Sequence, residues 1–193
     1  FGCFNNLSKV TEAMLALRAE ILRRVPDARF ILKSKQLADP AVQQRYRDRF
    51  SARGIAPERV ILDSRHLDHA ELLGYYGELD IALDTHPYSG VTTTCEALWM
   101  GVPVVTLAGE RFISRNSAAL LANVGLDDLV AGTPQQYVET AVALAGDGAL
   151  LAQLRSAQRE RFRASPLGNA PLFVQHLEAA YRDMWKKWCA SAH

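Results

Sequence analysis

The segment from Asp80 to Thr106, DIALDTHPYSGVTTTCEALWMGVPVVT, constrains the fold of this chain more than any other. Its apolar run at 81–83 is typical of a strand covered on both faces, and the Pro-, Ser- and Gly-containing stretch at 85–91 predicts a loop. The threonine run that follows can open a helix, and a second apolar run lies at 102–105. The pattern predicts a βαβ unit with a hydroxyl-rich turn at the carboxyl end of its first strand.

A helix that begins at this turn presents backbone amides that have no acceptor inside the helix and lie at the positive end of its dipole. Val91, Thr92, Thr93 and Thr94 supply such amides, and the threonine hydroxyls add donors. We expect Glu96 in the first turn, where its carboxylate can accept hydrogen bonds from a ribose diol. Alternatively, Thr92 or Thr93 merely caps a buried helix and Glu96 completes a capping pattern. These residues alone leave a nucleotide diphosphate site and a capped helix equally open.

Apolar runs alternate with periodic segments along the rest of the chain, which predicts right-handed crossovers and a parallel sheet. We expect Arg18 to face water and Ser114 to cap a helix. One domain is expected over residues 1–193, with C-terminal helices from about 150–193. The predicted strands are 1–4, 29–33, 60–62, 81–83, 102–105 and 129–131, and the predicted helices are 10–25, 40–53, 69–79, one after Gly90, 114–123, 137–145, 150–162 and a last helix near the C-terminus.

The composition excludes several classes of function. A formal net charge of +1 and the lack of a basic block argue against nucleic-acid binding. No apolar run approaches membrane-spanning length, and the first residues lack the regions of a signal peptide, so we expect no membrane partner and a cytoplasmic setting. Cys3, Cys95 and Cys189 are widely separated, which favours reduced packing residues over disulfides or a metal cluster. The chain also lacks P-loop, GxSxG, HExxH and GxGxxG motifs, so an NAD enzyme is not expected.

A few charged residues are candidates for ligand contacts. Lys9 lies at the mouth of the first predicted βα turn, where a cation can balance a pyrophosphate lying across neighbouring helix amides. An ordinary surface lysine is the alternative. Arg65 and His66 lie in the predicted loop 63–68, and His69 opens the next helix. Both histidines also fit a capping or surface role.

The segment LDTHPYSGVTTTCEALWMGVPVVTLAGERFISR, residues 83–115, resembles the donor-binding signature of the O-linked N-acetylglucosamine transferase family, which includes SPINDLY-like proteins and bacterial TPR-containing relatives. The similarity extends from FNNLSK at 4–9 to SPL at 165–167 and LEAAYRDMW at 177–185. It implies an α/β fold, a Rossmann-like parallel sheet with helices on both faces, as in the C-terminal nucleotide-binding lobe of a GT-B glycosyltransferase. It also implies a UDP-sugar donor.

The resemblance implies roles for individual residues. FNNLSK matches the family's FNQLYK-type segment, which places a phosphate-contacting lysine at Lys9 and puts Asn6 where some members have a glutamine that reaches the donor. Loop 63–68 then lies over the uracil, largely through backbone atoms. A histidine of some members aligns with Leu72, and His69 can take its place. The implied nucleotide-binding set is Asn6, Lys9, Arg65, His66, His69, Gly90, Val91, Thr92, Thr93, Thr94, Glu96 and Arg115.

Arg115 matches a Ser-Arg pair of the family and either helps to hold the donor loop or bonds to a loop carbonyl. The implied reaction is an inverting transfer of N-acetylglucosamine or glucose from a UDP-sugar to a protein side chain. No DxD-type pair stands near the predicted site, so a metal-independent mechanism fits, with Lys9 stabilising the leaving group. The UDP-sugar is then a substrate, and no cofactor is expected. The catalytic base is not identifiable in this chain.

The chain opens at once on FGCFNN and looks cut from a longer protein. In the resembled family the remainder comprises another Rossmann-like lobe and TPR repeats that present protein acceptors, so the fragment alone is expected to be inactive. The last helix of a GT-B protein often crosses to that other lobe, which would expose part of the stripe Phe173, Leu177, Tyr181, Met184 and Trp188. A non-catalytic nucleotide-binding module and a sugar-nucleotide epimerase remain as alternatives, and the sequence determines neither the donor sugar nor the acceptor.

Overall fold

The computed structural model describes residues 1–191 and contains a sheet of six strands in the order 3-2-1-4-5-6, with every pair parallel. Short 3-10 turns join several of the elements. The strands are β1 (Gly2–Cys3), β2 (Phe30–Lys33), β3 (Val60–Asp63), β4 (Ala82–Leu83), β5 (Val104–Leu107) and β6 (Val130–Ala131), and the helices are α1 (Glu12–Arg24), α2 (Pro40–Ser51), α3 (His69–Tyr75), α4 (Thr92–Trp99), α5 (Asn116–Asn123), α6 (Pro134–Gly146), α7 (Gly148–Ala164) and α8 (Ala170–Ser191).

The strand order confirms the predicted doubly wound fold. The chain moves outward from β1 to β3, returns to β4 and then moves outward in the opposite direction, so right-handed crossovers put α1 and α2 on one face and α4 and α5 on the other. In keeping with this, α1 packs against α2 and α6, whereas α4 packs against α5 and α7. The direction reverses between β1 and β4, and such a switch point is where open α/β sheets bind ligands.

The strands inside the sheet are largely buried between these helix layers, as continuous apolar runs predict, whereas Ile61 of the edge strand β3 is exposed. All four residues of β2 and all four of β5 are buried. Every predicted strand is present, with ends shifted by one or two residues: the strand predicted at 102–105, for example, is observed at Val104–Leu107. The predicted helices are present as well, although the one predicted at 69–79 ends as a 3-10 turn over Tyr76–Glu78.

Two local predictions are wrong. Arg18 does not face water: its side chain is fully buried, and Nη2 donates to Cys3 Sγ at 3.1 Å and to the carbonyl of Leu83 at 3.3 Å. Helical periodicity alone placed it on a polar face, but this side chain lies against the ends of β1 and β4, with Tyr137 of α6 beside the guanidinium. Ser114 is not an N-cap, because it ends a 3-10 turn and α5 begins two residues later at Asn116.

Helix α8 carries an apolar stripe that the rest of the described chain leaves uncovered. Phe173, Leu177, Tyr181, Met184 and Trp188 are all exposed, and Trp188 retains 65% of its accessible surface. None of the helix's residues is buried. Over residues 1–191 no helix combines the length and apolarity that a membrane span requires.

Gly101 permits the tight exit from α4 into β5. Its φ is +82°, and an added Cβ would lie 2.8 Å from the backbone carbonyl oxygen of Arg155 in α7. Gly125, after α5, has a similar φ of +69° but open space around it. Gly101 is therefore required both by conformation and by close packing, whereas Gly125 is required by conformation alone.

We predict that Gly101→Ala destabilises the protein more than Gly125→Ala. Both variants incur about 1 to 2 kcal/mol for a left-handed backbone, and Gly101→Ala adds about 1 to 3 kcal/mol because a helix backbone must shift. Urea unfolding followed by circular dichroism measures both values. Equal losses would mean that α7 does not pack closely against this turn.

Candidate functional site

Three loops lie along the carboxyl edge of the sheet, two of them at the switch point. They are residues 4–11 after β1, residues 63–68 after β3 and residues 84–91 after β4. Phe4 links the first loop to α3, the helix that follows the second loop, because its ring stacks on Tyr75 at 5.2 Å and contacts Tyr76 at 4.6 Å. These aromatic contacts fix α3 against the end of β1.

Asp84 organises the switch point. It is 2% exposed, and its carboxylate accepts three hydrogen bonds: Oδ1 from Asn5 Nδ2 at 3.2 Å and from the Gly90 amide at 2.8 Å, and Oδ2 from Thr106 Oγ1 at 2.8 Å. A buried charge is tolerated only when such bonds satisfy it. Gly90 fits here because an added Cβ would lie 2.7 Å from Thr93 Oγ1. The carboxylate thus ties the ends of β1 and β4 and the interior of β5 to the start of α4.

The start of α4 keeps its amides open. Val91 is the N-cap residue, and no side chain caps the helix. The alternative of a threonine cap is therefore wrong: Thr92 and Thr93 lie inside the helix, Thr93 Oγ1 donates to Asn5 Oδ1 at 3.0 Å, and Thr94 Oγ1 pairs with Ser117 Oγ at 2.8 Å. Since these two hydroxyls hold the helix in place, the donors left for a ligand are the first amides and the exposed Thr92 side chain.

Lys9 reaches this helix start from the β1–α1 loop. Its ammonium donates to the carbonyl of Ser89 at 3.1 Å and lies 3.9 Å from the centre of the Tyr88 ring. The side chain is therefore directed into the loop that precedes α4 rather than extended into solvent. A positive charge next to open helix amides is suited to an anion such as a phosphate.

Glu96 lies in the second turn of α4, so the expectation that it occupies the first turn is wrong. Its Oε2 accepts a hydrogen bond from Tyr76 OH at 3.1 Å, and the same hydroxyl lies 3.2 Å from the carbonyl of Thr93. Burial, followed by the charge of Glu96, raises the pKa of Tyr76 well above its usual value, so the hydroxyl keeps the proton that it donates. Glu96 remains partly exposed, and one of its oxygens has no partner among the described residues.

The loop after β3 is fixed by a buried carboxylate of its own. Burial by itself would raise the pKa of Asp63, but hydrogen bonds from the side chain and amide of Arg65 and the charge of Lys33 outweigh it and lower that pKa to about 2. Arg65 forms two side-chain bonds to Asp63 at 2.6 and 2.9 Å and lies over the Tyr75 ring at 4.9 Å. The Arg65 side chain is thus engaged within the protein, and the backbone carbonyl of Arg65 accepts a hydrogen bond from Lys33 Nζ at 2.7 Å. Within this loop, the backbone groups of residues 66–67 form no hydrogen bond to any residue in 1–191.

Four of the predicted ligand residues form no side-chain hydrogen bond to Asp84 or to the residues bonded to it. They are Asn6, His66, His69 and Arg115. Asn6 is exposed, and its Oδ1 accepts from the Ser8 amide at 3.0 Å. His66 and His69 are exposed, and Asp68 rather than either histidine caps α3. The Arg115 side chain is also exposed, without a hydrogen bond to any residue in 1–191, so the alternative of a bond to a loop carbonyl is wrong.

Sequence reasoning missed Asn5, Asp84, Tyr88 and Ser89, which set the geometry of the site. The polar Asp84 at the end of an apolar strand was a usable signal, because such a residue either faces a ligand or anchors the next loop. Ser89 anchors its loop through hydrogen bonds from its amide at 3.0 Å and its hydroxyl at 2.9 Å to the carbonyl of Ile113. Nothing in the local sequence indicates that long-range partner.

The fold and the candidate site together define a class of protein. It is a Rossmann-type α/β domain in which an uncapped helix start, suited to an anion, lies at the switch point of the sheet. Within the described part of the chain, no cluster of three or more His, Cys, Asp or Glu side chains is arranged to hold a metal ion. The model of glycosyl transferase family 41 matches residues 1–177. The chain belongs to this family, which confirms the resemblance seen in its sequence.

Relatives and solved structures agree with this assignment. The chain is 42% identical over 98% of its length to the probable UDP-N-acetylglucosamine–peptide N-acetylglucosaminyltransferase SPINDLY of Arabidopsis thaliana, of which it covers 21%. A mutant O-GlcNAc transferase of Thermobaculum terrenum superposes with a TM-score of 0.94 and 43% identity over 100% of this chain and 37% of that one. The C-terminal domain of a group 1 glycosyl transferase of Francisella tularensis, with 16% identity, a TM-score of 0.60 and 84% and 81% coverage, shares the fold. The chain thus spans about a fifth of its curated relatives.

We predict that Asp84→Ala lowers the free energy of unfolding by much more than Thr106→Val. Thr106→Val leaves one carboxylate oxygen without its donor and costs about 1 to 3 kcal/mol. Asp84→Ala leaves three buried donors without an acceptor and costs at least about twice as much. Denaturant unfolding compares the two variants. Similar losses would contradict the central role of the carboxylate.

Proposed function

We propose that residues 1–193 form the donor-binding half of an inverting glycosyltransferase that moves N-acetylglucosamine or glucose from a UDP-sugar to a protein side chain. The observation that carries this proposal is the convergence of the Lys9 ammonium and the uncapped start of α4 on the switch point. Family membership supports it, and so do the relatives whose names specify UDP-N-acetylglucosamine and peptide substrates. The proposal assigns the diphosphate to this helix start and the nucleoside to the region between α3 and α4.

The geometry suggests how each group contributes. Breakage of the bond between sugar and diphosphate leaves negative charge on the β-phosphate, and preorganised donors that meet this charge lower the barrier. The Lys9 ammonium and the amides of Val91 to Thr94 are such donors, and they need no metal ion. Glu96, held by Tyr76, accepts hydrogen bonds from the ribose diol, while the backbone of loop 63–68 covers the base.

The acceptor half of the reaction is assigned to the part of the family protein that this chain does not cover. The chain spans 37% of the Thermobaculum terrenum transferase, and α8 presents an uncovered apolar stripe. We propose that the stripe packs on a second lobe, which supplies the catalytic base and, with TPR repeats, the protein acceptor. A non-catalytic nucleotide-binding module has the same donor geometry, and a transfer assay on a protein that contains both lobes separates the two functions.

We predict that this chain binds UDP reversibly in the presence of EDTA, because all proposed phosphate donors belong to the protein. Isothermal titration calorimetry with UDP, in EDTA and then with added Mg²⁺, measures this. The affinity should fall as salt rises, since part of the attraction is between charges near the surface. Binding that appears only after Mg²⁺ is added would refute the metal-independent proposal.

We further predict that Lys9→Ala weakens UDP much more than uridine, whereas Glu96→Ala weakens both ligands. Lys9 is assigned to phosphate, which uridine lacks, and Glu96 to the ribose, which both contain. A hydrogen bond to a charged group contributes roughly 1.5 to 3 kcal/mol, so each affected affinity should fall by about one to two powers of ten. Calorimetry measures UDP, and ligand-observed NMR measures uridine.

Two variants serve as controls for this experiment. Lys35→Ala removes an exposed lysine after β2, at the same edge of the sheet, and should leave UDP affinity nearly unchanged. Tyr76→Phe removes the hydroxyl that holds Glu96 and should weaken both ligands less than Glu96→Ala does. If Lys9→Ala and Lys35→Ala lowered UDP affinity equally, Lys9 would act only through its general charge and not through a specific contact with the phosphate.

A further inference from the structure

Tyr88 occupies an unusual place beside the candidate phosphate site. The residue is 48% exposed, yet one face of its ring is covered by the Lys9 ammonium at 3.9 Å from the ring centre. This distance lies well inside the range in which an aromatic ring attracts a cation. The same ammonium donates to the carbonyl of the next residue, Ser89, at 3.1 Å. Two consecutive residues of one loop therefore hold Lys9 from two sides.

The loop that carries Tyr88 is held in place by hydrogen bonds to the carbonyl of Tyr88 and from the next residue, Ser89. Thr85 Oγ1 donates to the carbonyl of Tyr88 at 2.7 Å, and Ser89 donates twice to the carbonyl of Ile113. Thr85 and Ser89 are fully buried, so these anchors are shielded from water. The ring consequently projects from a rigid base, although its own side chain is exposed.

We propose that Tyr88 is a positioning residue that preorganises the Lys9 ammonium for a phosphate oxygen; this inference rests on the proposed donor-binding function. A lysine side chain has many rotamers, and fixing it on binding costs conformational entropy. The ring and the Ser89 carbonyl restrict those rotamers before the ligand arrives. An ammonium has three N–H donors, so one bond to Ser89 leaves donors for an oxyanion. Tyr88 thus acts on the diphosphate through Lys9, and its hydroxyl is not required.

Three substitutions of Tyr88 distinguish the contribution of the aromatic face to UDP affinity from the contributions of apolar bulk and of the hydroxyl. Tyr88→Phe keeps the aromatic face and should bind UDP like the unsubstituted chain. Tyr88→Leu keeps apolar bulk without an aromatic face, and Tyr88→Ala removes both. Each of these two should weaken UDP by about two- to fivefold, the fold-change that corresponds to an exposed cation–π contact. Uridine affinity should be unchanged in all three variants.

The same substitution in a Lys9→Ala background tests whether Tyr88 acts through Lys9. Calorimetry with UDP on Lys9→Ala and on Lys9→Ala combined with Tyr88→Leu completes a double-mutant cycle. The effect of Tyr88→Leu should vanish in the absence of Lys9. A thermal unfolding measurement on each variant confirms that it is folded at the assay temperature.

The possible results differ in what they overturn. An unchanged UDP affinity in Tyr88→Leu and Tyr88→Ala, together with a weakened one in Lys9→Ala, would overturn the role of Tyr88 and leave the phosphate site intact. An equal loss for uridine and UDP would also overturn it, because the ring would then contact the nucleoside. No effect of Lys9→Ala on UDP would overturn the proposed phosphate site itself.

Discussion

The burial of the Asp84 carboxylate is the constraint on which the candidate site depends. At 2% exposure this charge is unfavourable unless donors surround it, and the donors come from the end of β1, the start of α4 and the interior of β5. Satisfying one charge therefore fixes three elements relative to one another. Asn5 extends the network, because the amide that donates to Asp84 also carries the oxygen that accepts from Thr93. The orientation of the open helix start follows from this network rather than from a cap on α4.

A second buried charge, the guanidinium of Arg18, holds the backbone of Asp84 in place. Arg18 donates to the carbonyls of Leu83 and Asp84, and Tyr137 OH donates to the Asp84 carbonyl at 3.1 Å. Burial opposes the charge of Arg18, but the neighbouring Cys3 and Tyr137 outweigh it and place the pKa of the guanidinium above its usual value. The backbone of Asp84 is thus held from one side while its carboxylate is held from the other. Such double anchoring explains why a site can be built on a strand of two residues.

Local sequence predicted the fold and part of the site. There is a physical reason why it did not predict the rest of the site. Strands buried on both faces read as apolar runs, and the Gly90 turn contains the residue types that its backbone requires, so β4 and α4 were predictable. Lys9 was implied by the family resemblance rather than by local sequence, and its role toward a ligand stays a prediction. Arg18 was not predictable, because the same spacing fits a polar face or a buried guanidinium, and its partners in β1 and at the end of β4 are distant in sequence. The Thr93 and Thr94 hydroxyls were assigned to a ligand or a cap, yet their partners, Asn5 and Ser117, are distant in sequence.

The arrangement also determines how accurately a cation and a helix dipole can act on one anion. The chain is nearly neutral, with a formal net charge of +1, so the phosphate binding that we propose depends on local groups rather than on a broad field. Lys9 is bonded to Ser89, which directly precedes Gly90, and Gly90 is bonded to Asp84. The ammonium and the first amides of α4 are therefore positioned against the same short loop. Displacements of about 1 Å can cost a hundredfold in rate, so a shared anchor places both groups on a phosphate more reliably than two independent supports.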